Sequence, residues 1–355
     1  MSKDFQRIRR SFGRVEQKQL YVTYDKFCQC SCACCRNKCF SDEAMQSKRY
    51  ILDEVMKKDY NQFRHVVFGG GEPLYQIDKI LRLITELDLR NAKEANFDEE
   101  TNDEKITYYS IVTNGARELF LEELDENCPA CRKFVTIILS RYHYDDGKNT
   151  EIFHPKNGEE LLTTDDLDEV CFSMKKKIQL SCLCQKGGIN TTEDVIRYIQ
   201  WAAKLGITNI MFSNFQDDVT PKMAKENLSC DPNLFQDAME VLRKREFLEE
   251  TPIIFNAGFR IINFHGIIET TKEVEGSYLP EGLRIALNFI GMGDMIGSMR
   301  MESVVGRRVD ISFKEYIPED QLRKEWKKAN RRTYNYSAMP NGALFSDWSC
   351  GNKVL

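Results

Sequence analysis

LYVTYDKFCQCSCACCRNKCF (20–40) begins as a β-branched and aromatic run and passes directly into a loop that holds six of the chain's thirteen cysteines. LYVTY (20–24) reads as a short strand, so the thiols sit at a strand's C-terminal end. Moving outward, HVVF (65–68), YYSIVT (108–113), FVTIIL (134–139), IQLSCL (178–183) and NIMF (209–212) have the same character and make six strands in all. Between them, 42–58, 75–89, 116–126 and 191–206 carry apolar residues at three-to-four spacing, the last opening on threonines and closing at Gly206. Alternation of this kind predicts an α/β chain built as a parallel sheet or a full or partial βα barrel, with its chemistry on loops at the C-terminal strand ends.

The rest of the chain bounds that reading. At 355 residues, 42% hydrophobic and 30% charged, it has the balance of a globular protein with a sizeable core. A net charge of −5 gives no global footprint for nucleic acid or an anionic membrane. The first fifteen residues are charged throughout, and no run of eighteen apolar residues follows, which predicts a cytoplasmic protein with no membrane partner. The segment 91–105 is polar and acidic and reads as a solvated loop. Beyond about residue 215 the alternation breaks: 252–274 reads as strands with glycine turns, 318–331 as a charged helix, and Asn341-Gly342 as a hairpin turn. The expected organisation is an N-terminal arm (1–15), a core (16–215) and a smaller α+β extension (216–355).

An odd number of cysteines in a long chain without a signal points to metal or redox chemistry rather than disulfides. Within the cluster, Cys28, Cys32 and Cys35 form the only triple with three-residue then two-residue spacing. Three thiolates on one loop suit three irons of a [4Fe–4S] cube and leave the fourth iron open to a ligand. A zinc site is the alternative, with Cys30, Cys34 or Cys39 supplying a fourth ligand. Cys128 and Cys131 (CPAC) read as ordinary loop thiols, a zinc clip being the minority reading.

With GGGEPL (69–74) after the second strand and TNG (113–115) after the third, the CxxxCxxC loop resembles the radical S-adenosylmethionine (radical SAM) superfamily, in motif order as well as in letters. The resemblance covers roughly residues 20–215 and implies a partial barrel. It further implies a [4Fe–4S] cluster on Cys28, Cys32 and Cys35, SAM as cofactor, and an electron donor such as flavodoxin or ferredoxin. It implies that Gly70 and Gly71 let the backbone approach the amino acid end of SAM, and that Glu72 accepts from its ammonium. Thr113 and Asn114 of the TNG turn, and Ser140 at the fourth strand's end, are implied SAM contacts. CQKGGINTTED (184–194) resembles a turn of the molybdenum-cofactor-biosynthesis A-like and peptide-modifying branches, bringing in Lys186; Asn214 has the corresponding place after strand six. Cys34 departs from the aromatic residue common before the third ligand.

The expected activity is hydrogen abstraction from a small polar molecule such as a nucleotide, sugar or amino acid derivative. The alternatives are a peptide-modifying relative and a non-catalytic zinc or iron–sulfur protein. Only 27 residues precede Cys28, and only Cys230 and Cys350 lie beyond residue 216, which weighs against a leader-binding domain and a complete auxiliary cluster. MPNGALFSDWSC (339–350) resembles the hairpin that opens auxiliary domains. His143, among Tyr142, Tyr144 and Asp145, is read as a substrate-binding or proton-relaying group, and Cys350 as a hydrogen-atom donor. Trp348 and YNYSAMPNGALF (334–345) are read as covering the barrel mouth, so that truncation after Asn335 would leave the cluster and uncouple turnover.

Overall fold

The computed structural model describes residues 17–35, 63, 65–95, 108–123, 132–214, 228–245, 248–256, 259–275, 300–316, 332–339 and 344–345. All six expected strands form: β1 (Gln17–Asp25), β2 (His65–Gly70), β3 (Tyr108–Thr113), β4 (Phe134–Ser140), β5 (Ile178–Cys184) and β6 (Asn209–Asn214). They pair in parallel and in sequence order, as strands joined by crossovers do. The helices are α1 (Ile77–Ala95, entered through a 3-10 turn at Pro73–Gln76), α2 (Arg117–Glu123), α3 (Asp146–Phe153), α4 (Thr164–Glu169), α5 (Phe172–Lys175), α6 (Thr192–Lys204) and α7 (Leu234–Arg243).

Helix α6 shows how local sequence sets these ends. The Thr191 hydroxyl accepts from the Asp194 N–H and the Asp194 carboxylate accepts back from Thr191, a reciprocal cap. Gly206 closes the helix at a φ of +80°, where a side chain would be strained. Helix α1 departs from expectation. It runs on to Ala95, because Asn91–Ala95 includes two alanines, a lysine and a glutamate, which favour helix over the loop read at 91–105.

The C-terminal strands are β7 (Leu248–Asn256), β8 (Phe259–Glu275), β9 (Arg300–Tyr316), β10 (Arg332–Ala338) and β11 (Leu344–Phe345). They belong to the same sheet, in the order β1-β2-β3-β4-β5-β6-β9-β8-β7-β10-β11. Strand β9 pairs in parallel with β6 and antiparallel with β8, which pairs antiparallel with β7. Strand β10 then pairs in parallel with both β7 and β1, so ten strands close a ring. The fold is therefore α/β with a mainly parallel sheet, and segments after residue 216 complete its wall. Tyr334–Ala338 lie in β10 against β1, so truncation after Asn335 cuts a strand of the ring. Strands β10 and β11, on either side of the expected Asn341-Gly342 turn, pair antiparallel at Ser337–Phe345 and Ala338–Leu344, and the turn itself lies outside the described residues. The helices expected at 42–58 and 318–331, and Cys39, Cys128, Cys131, Trp348 and Cys350, lie outside the described residues.

The two faces of the strands differ in kind. On β5, Ile178, Leu180, Cys182 and Cys184 are fully buried under the helices, while Gln179, Ser181 and Leu183 alternate on the inner face. Aromatic packing carries the helix side from β6 to the later strands: Phe313 of β9 lies 5.4 Å from Phe212, 6.0 Å from Phe264 of β8 and 5.1 Å from Phe235 of α7. Each such ring contributes about 1.5–3 kcal/mol through burial. On the inner face Ser140, Ser181, Met211, Ser312 and Asn263 follow one another in register across β4, β5, β6, β9 and β8. Ser312 donates to Asn263 at 2.7 Å and Gln179 to Asn209 at 3.0 Å, and Asp310 and His265 continue the Gln179 row on the same face, paired with each other, so this wall mixes neutral and charged polar groups.

Among the described residues no helix is long and apolar enough to cross a membrane.

Candidate functional site

Three loops at the C-terminal ends of β1, β2 and β3 meet, and their backbones are in contact. Gly71 N donates to Asp25 O, and Glu72 N donates to Phe27 O, each at 2.7 Å. A Cβ on Gly71 would stand 1.8 Å from the Phe27 carbonyl oxygen, and one on Gly70, whose φ is +124°, 2.6 Å from Asp25 O. The glycines make room for the segment that leads into Cys28, since the space where a Cβ would stand beside Gly71 is filled by protein backbone.

Glu72 is 1% exposed and joins the second loop to the third. Oε1 accepts from Leu74 N at 3.1 Å and Thr113 Oγ1 at 2.8 Å, and Oε2 accepts from Asn114 N at 2.7 Å. Thr113 Oγ1 accepts in turn from Gly115 N. The carboxyl is thus a buried strut between loops, and Thr113 serves the same junction. Burial pushes Glu72 up to about 7, against hydrogen bonds from Asn114, Leu74 and Thr113 that pull it down.

A raised carboxyl stabilises the fold fully below its ordinary value of 4.5, and that contribution is lost as pH rises through about 7. The melting temperature is therefore expected to fall between about pH 5 and pH 7.5, by an amount corresponding to at most ~3 kcal/mol. Glu72→Gln should flatten that slope. Parallel slopes in the two proteins would contradict the assignment.

Asn114 completes the junction by reaching into the cysteine loop. Its Nδ2 donates to Cys28 Sγ at 3.3 Å and to Gln29 Oε1 at 3.3 Å, while its Oδ1 accepts from Gln29 Nε2 at 2.7 Å. Below the loop, Cys30 packs with Phe153 and Leu161, and Cys28, Cys32 and Tyr142 lie against that small core. Ser31 N donates to the carbonyls of Phe153 and His154, and Lys156 N to Gln29 O, so the strip after α3 holds the loop from the other side. A pocket of about 430 Å³ opens beside Cys28, between residues 25–29 and 156–159.

Burial divides the five described cysteines of the loop. Cys28, Cys32 and Cys35 are partly accessible, and Cys30 and Cys34 are buried. Cys30 and Cys34 are pushed well above the ordinary thiol value by donating to neighbouring sulfurs, Cys30 to Cys28 and Cys32, Cys34 to Cys32. Cys28 is held below that value, chiefly by the bond from Cys30, against the effect of burial. The accessible set is the set with three-then-two spacing. Among the described residues no three His, Cys, Asp or Glu side chains gather closely enough to hold a single metal ion. A four-iron cube takes each thiolate on a different iron, and three soft, partly open thiols with two protonated neighbours suit that group.

The remaining expected residues are spread more widely. Ser140 ends β4, half-buried on the inner face, and its hydroxyl bonds the Tyr142 phenol, which burial and the thiols of Cys34, Cys32 and Cys35 push up. Asn214 ends β6, and its Oδ1 is buried with no partner among the described residues. Lys186 is exposed in the turn after β5, its backbone N–H donating to Leu228 O. His143 is buried beside Tyr144, its Nδ1 accepting from Asp145 N at 2.9 Å and its Nε2 unpartnered among the described residues. Desolvation lowers its pKa, and its electrostatic neighbours are Lys148, Asp145, Asp194 and Arg141, none of them in the cysteine loop. Gln29 and Lys156 are at the site without any pattern in the sequence to mark them.

No family model and no curated protein matches the chain. Among solved structures it is similar to Streptococcus suis SuiB bound to precursor peptide SuiA, at 16% identity and a TM-score of 0.43, over 69% of this chain and 50% of that one. SuiB bound to S-adenosylmethionine gives 17% identity and 0.43, over 65% and 49%. Native anSMEcpe with bound AdoMet and Cp18Cys peptide gives 18% and 0.43, over 64% and 59%. The chain thus spans about half the length of the SuiB structures it matches.

Proposed function

We propose that the chain is a radical SAM enzyme whose [4Fe–4S] cluster is held by Cys28, Cys32 and Cys35. One observation supports the reading above the others: the three motif loops are joined through the chain Glu72, Asn114, Cys28, a connection that matching letters alone do not require. Bound there, the cluster would pass one electron to the sulfonium of SAM, breaking a C–S bond to give methionine and a 5′-deoxyadenosyl radical that abstracts hydrogen from substrate. An external donor of the flavodoxin or ferredoxin class supplies the electron.

The protein's own residues orient and shelter. Gly70, Gly71 and Glu72 fix the approach of the cysteine loop to β2. Thr113 and Asn114 fix the turn after β3. The Oδ1 of Asn214, unpartnered among the described residues, and Ser140, bonded to the Tyr142 phenol, stand at strand ends where polar atoms of SAM or substrate would be met. The closed ring restricts solvent from the sides, which protects a radical.

Anaerobically reconstituted protein, given SAM and dithionite, is expected to release methionine and 5′-deoxyadenosine in equal amounts. Release no greater than without reductant would defeat the proposal. Small polar metabolites and peptides are then compared for stimulation of that release. Stimulation by small molecules alone would favour the small-substrate reading, and stimulation by peptides alone the peptide-modifying reading.

A further inference from the structure

The contact between Asn114 and Cys28 goes beyond joining two loops. Gln29 is 3% exposed although it sits between two cysteines on a loop, and both ends of its amide are used. Nε2 donates to Asn114 Oδ1 at 2.7 Å, and Oε1 accepts from Asn114 Nδ2 at 3.3 Å. The two side chains form a reciprocal amide pair. Asn114 is anchored independently, because Glu72 Oε2 accepts from its backbone N–H. The pair therefore points an amide N–H at Cys28 Sγ from 3.3 Å, and the Cys30 backbone N–H points at the same sulfur from 3.4 Å.

Resting on the cluster reading above, we propose that Asn114 and Gln29 form an amide clamp that sets the reduction potential of the cluster at its Cys28 corner. An N–H dipole directed at a ligating sulfur stabilises the more negative, reduced cluster and so raises its potential. Burial of the pair keeps water from replacing the dipole and strengthens its effect. The clamp spans 85 residues of sequence, so it also fixes the Cys28 side chain relative to β3, and both are positioning residues rather than catalytic ones.

The test compares reconstituted wild type with Asn114→Leu, Asn114→Asp and Gln29→Leu, reading iron per chain and the cluster's midpoint potential. In Asn114→Leu, with iron at the wild-type level, the midpoint is expected to move negative by the equivalent of a tenfold change in the reduction equilibrium, about 59 mV for one electron. Asn114→Asp replaces the donor with a negative charge and should move it further. Gln29→Leu leaves the donor unclamped and should give a smaller shift of the same sign, and it serves as the readout if the Asn114 variants fail to assemble. Full iron with an unchanged midpoint would overturn the clamp and leave the cluster reading standing. A wild type that holds no iron–sulfur cluster would overturn both.

Discussion

Replacing Cys28, Cys32 or Cys35 with alanine is expected to abolish the iron–sulfur chromophore and 5′-deoxyadenosine formation, whereas Cys30→Ala and Cys34→Ala retain most of both. The loop offers five described sulfurs within eight residues, and only Cys28, Cys32 and Cys35 have the three-then-two spacing. Accessibility separates the same three. Cys30 and Cys34 are buried and held as neutral thiols by donating to Cys28 and Cys32, while Cys28 is biased toward thiolate. Losing an iron ligand should exceed the ~10–100-fold penalty that removal of an outer-shell partner brings. Iron and sulfide per chain, measured with deoxyadenosine yield, check the result. Retained activity in Cys32→Ala, or its loss in Cys34→Ala with the fold intact, would mean that another set of thiols holds the metal.

The second large effect is expected at Gly71. A ligand-facing glycine would tolerate alanine in the absence of ligand, and substitution would weaken SAM binding with iron content intact. The structure predicts otherwise, because an added Cβ meets Phe27 O at 1.8 Å and Phe27 C at 2.4 Å, both backbone atoms with no rotamer to yield. The segment from Lys26 to Cys28 must move, and the bonds from Gly71 N and Glu72 N to Asp25 and Phe27 go with it. Overpacking at such a point costs about 1–3 kcal/mol, and the displaced loop carries the first cluster ligand. Gly71→Ala should therefore lower both the melting temperature and the iron bound per chain. Gly158→Ala is the control: its φ is +76° but no atom lies within 4 Å of the added carbon, so only the left-handed strain of roughly 1–2 kcal/mol applies. Unchanged iron in Gly71→Ala would show that the loop has slack that its contacts do not suggest.

These two cases also show how much of the molecule can be read from sequence. The six parallel strands were legible because each is a short β-branched run between turn residues, and their order follows from the chain. The end of α6 was legible because capping is local, settled by Thr191, Asp194 and Gly206. Closure of the ring was not. The pairing of β9 with β6 and of β10 with β1 depends on contacts over a hundred or more residues, which leave no periodic trace. At the site, the spacing of the cysteines identified the accessible thiols, but the contacts that join the loops were not legible. The letter Glu72 does not disclose that its carboxylate accepts from Thr113 and Asn114 of the next motif. Gln29 has no motif, and its importance comes from a partner 85 residues away.

The central claim is that this loop carries a four-iron cluster with one iron open to SAM. It is tested most directly by the EPR spectrum of the reduced, reconstituted protein titrated with SAM. The account predicts a [4Fe–4S]+ signal whose g values shift on addition of SAM and which is lost in Cys32→Ala. A protein that binds one zinc per chain and gives no such signal, or a cluster signal indifferent to SAM, would contradict it.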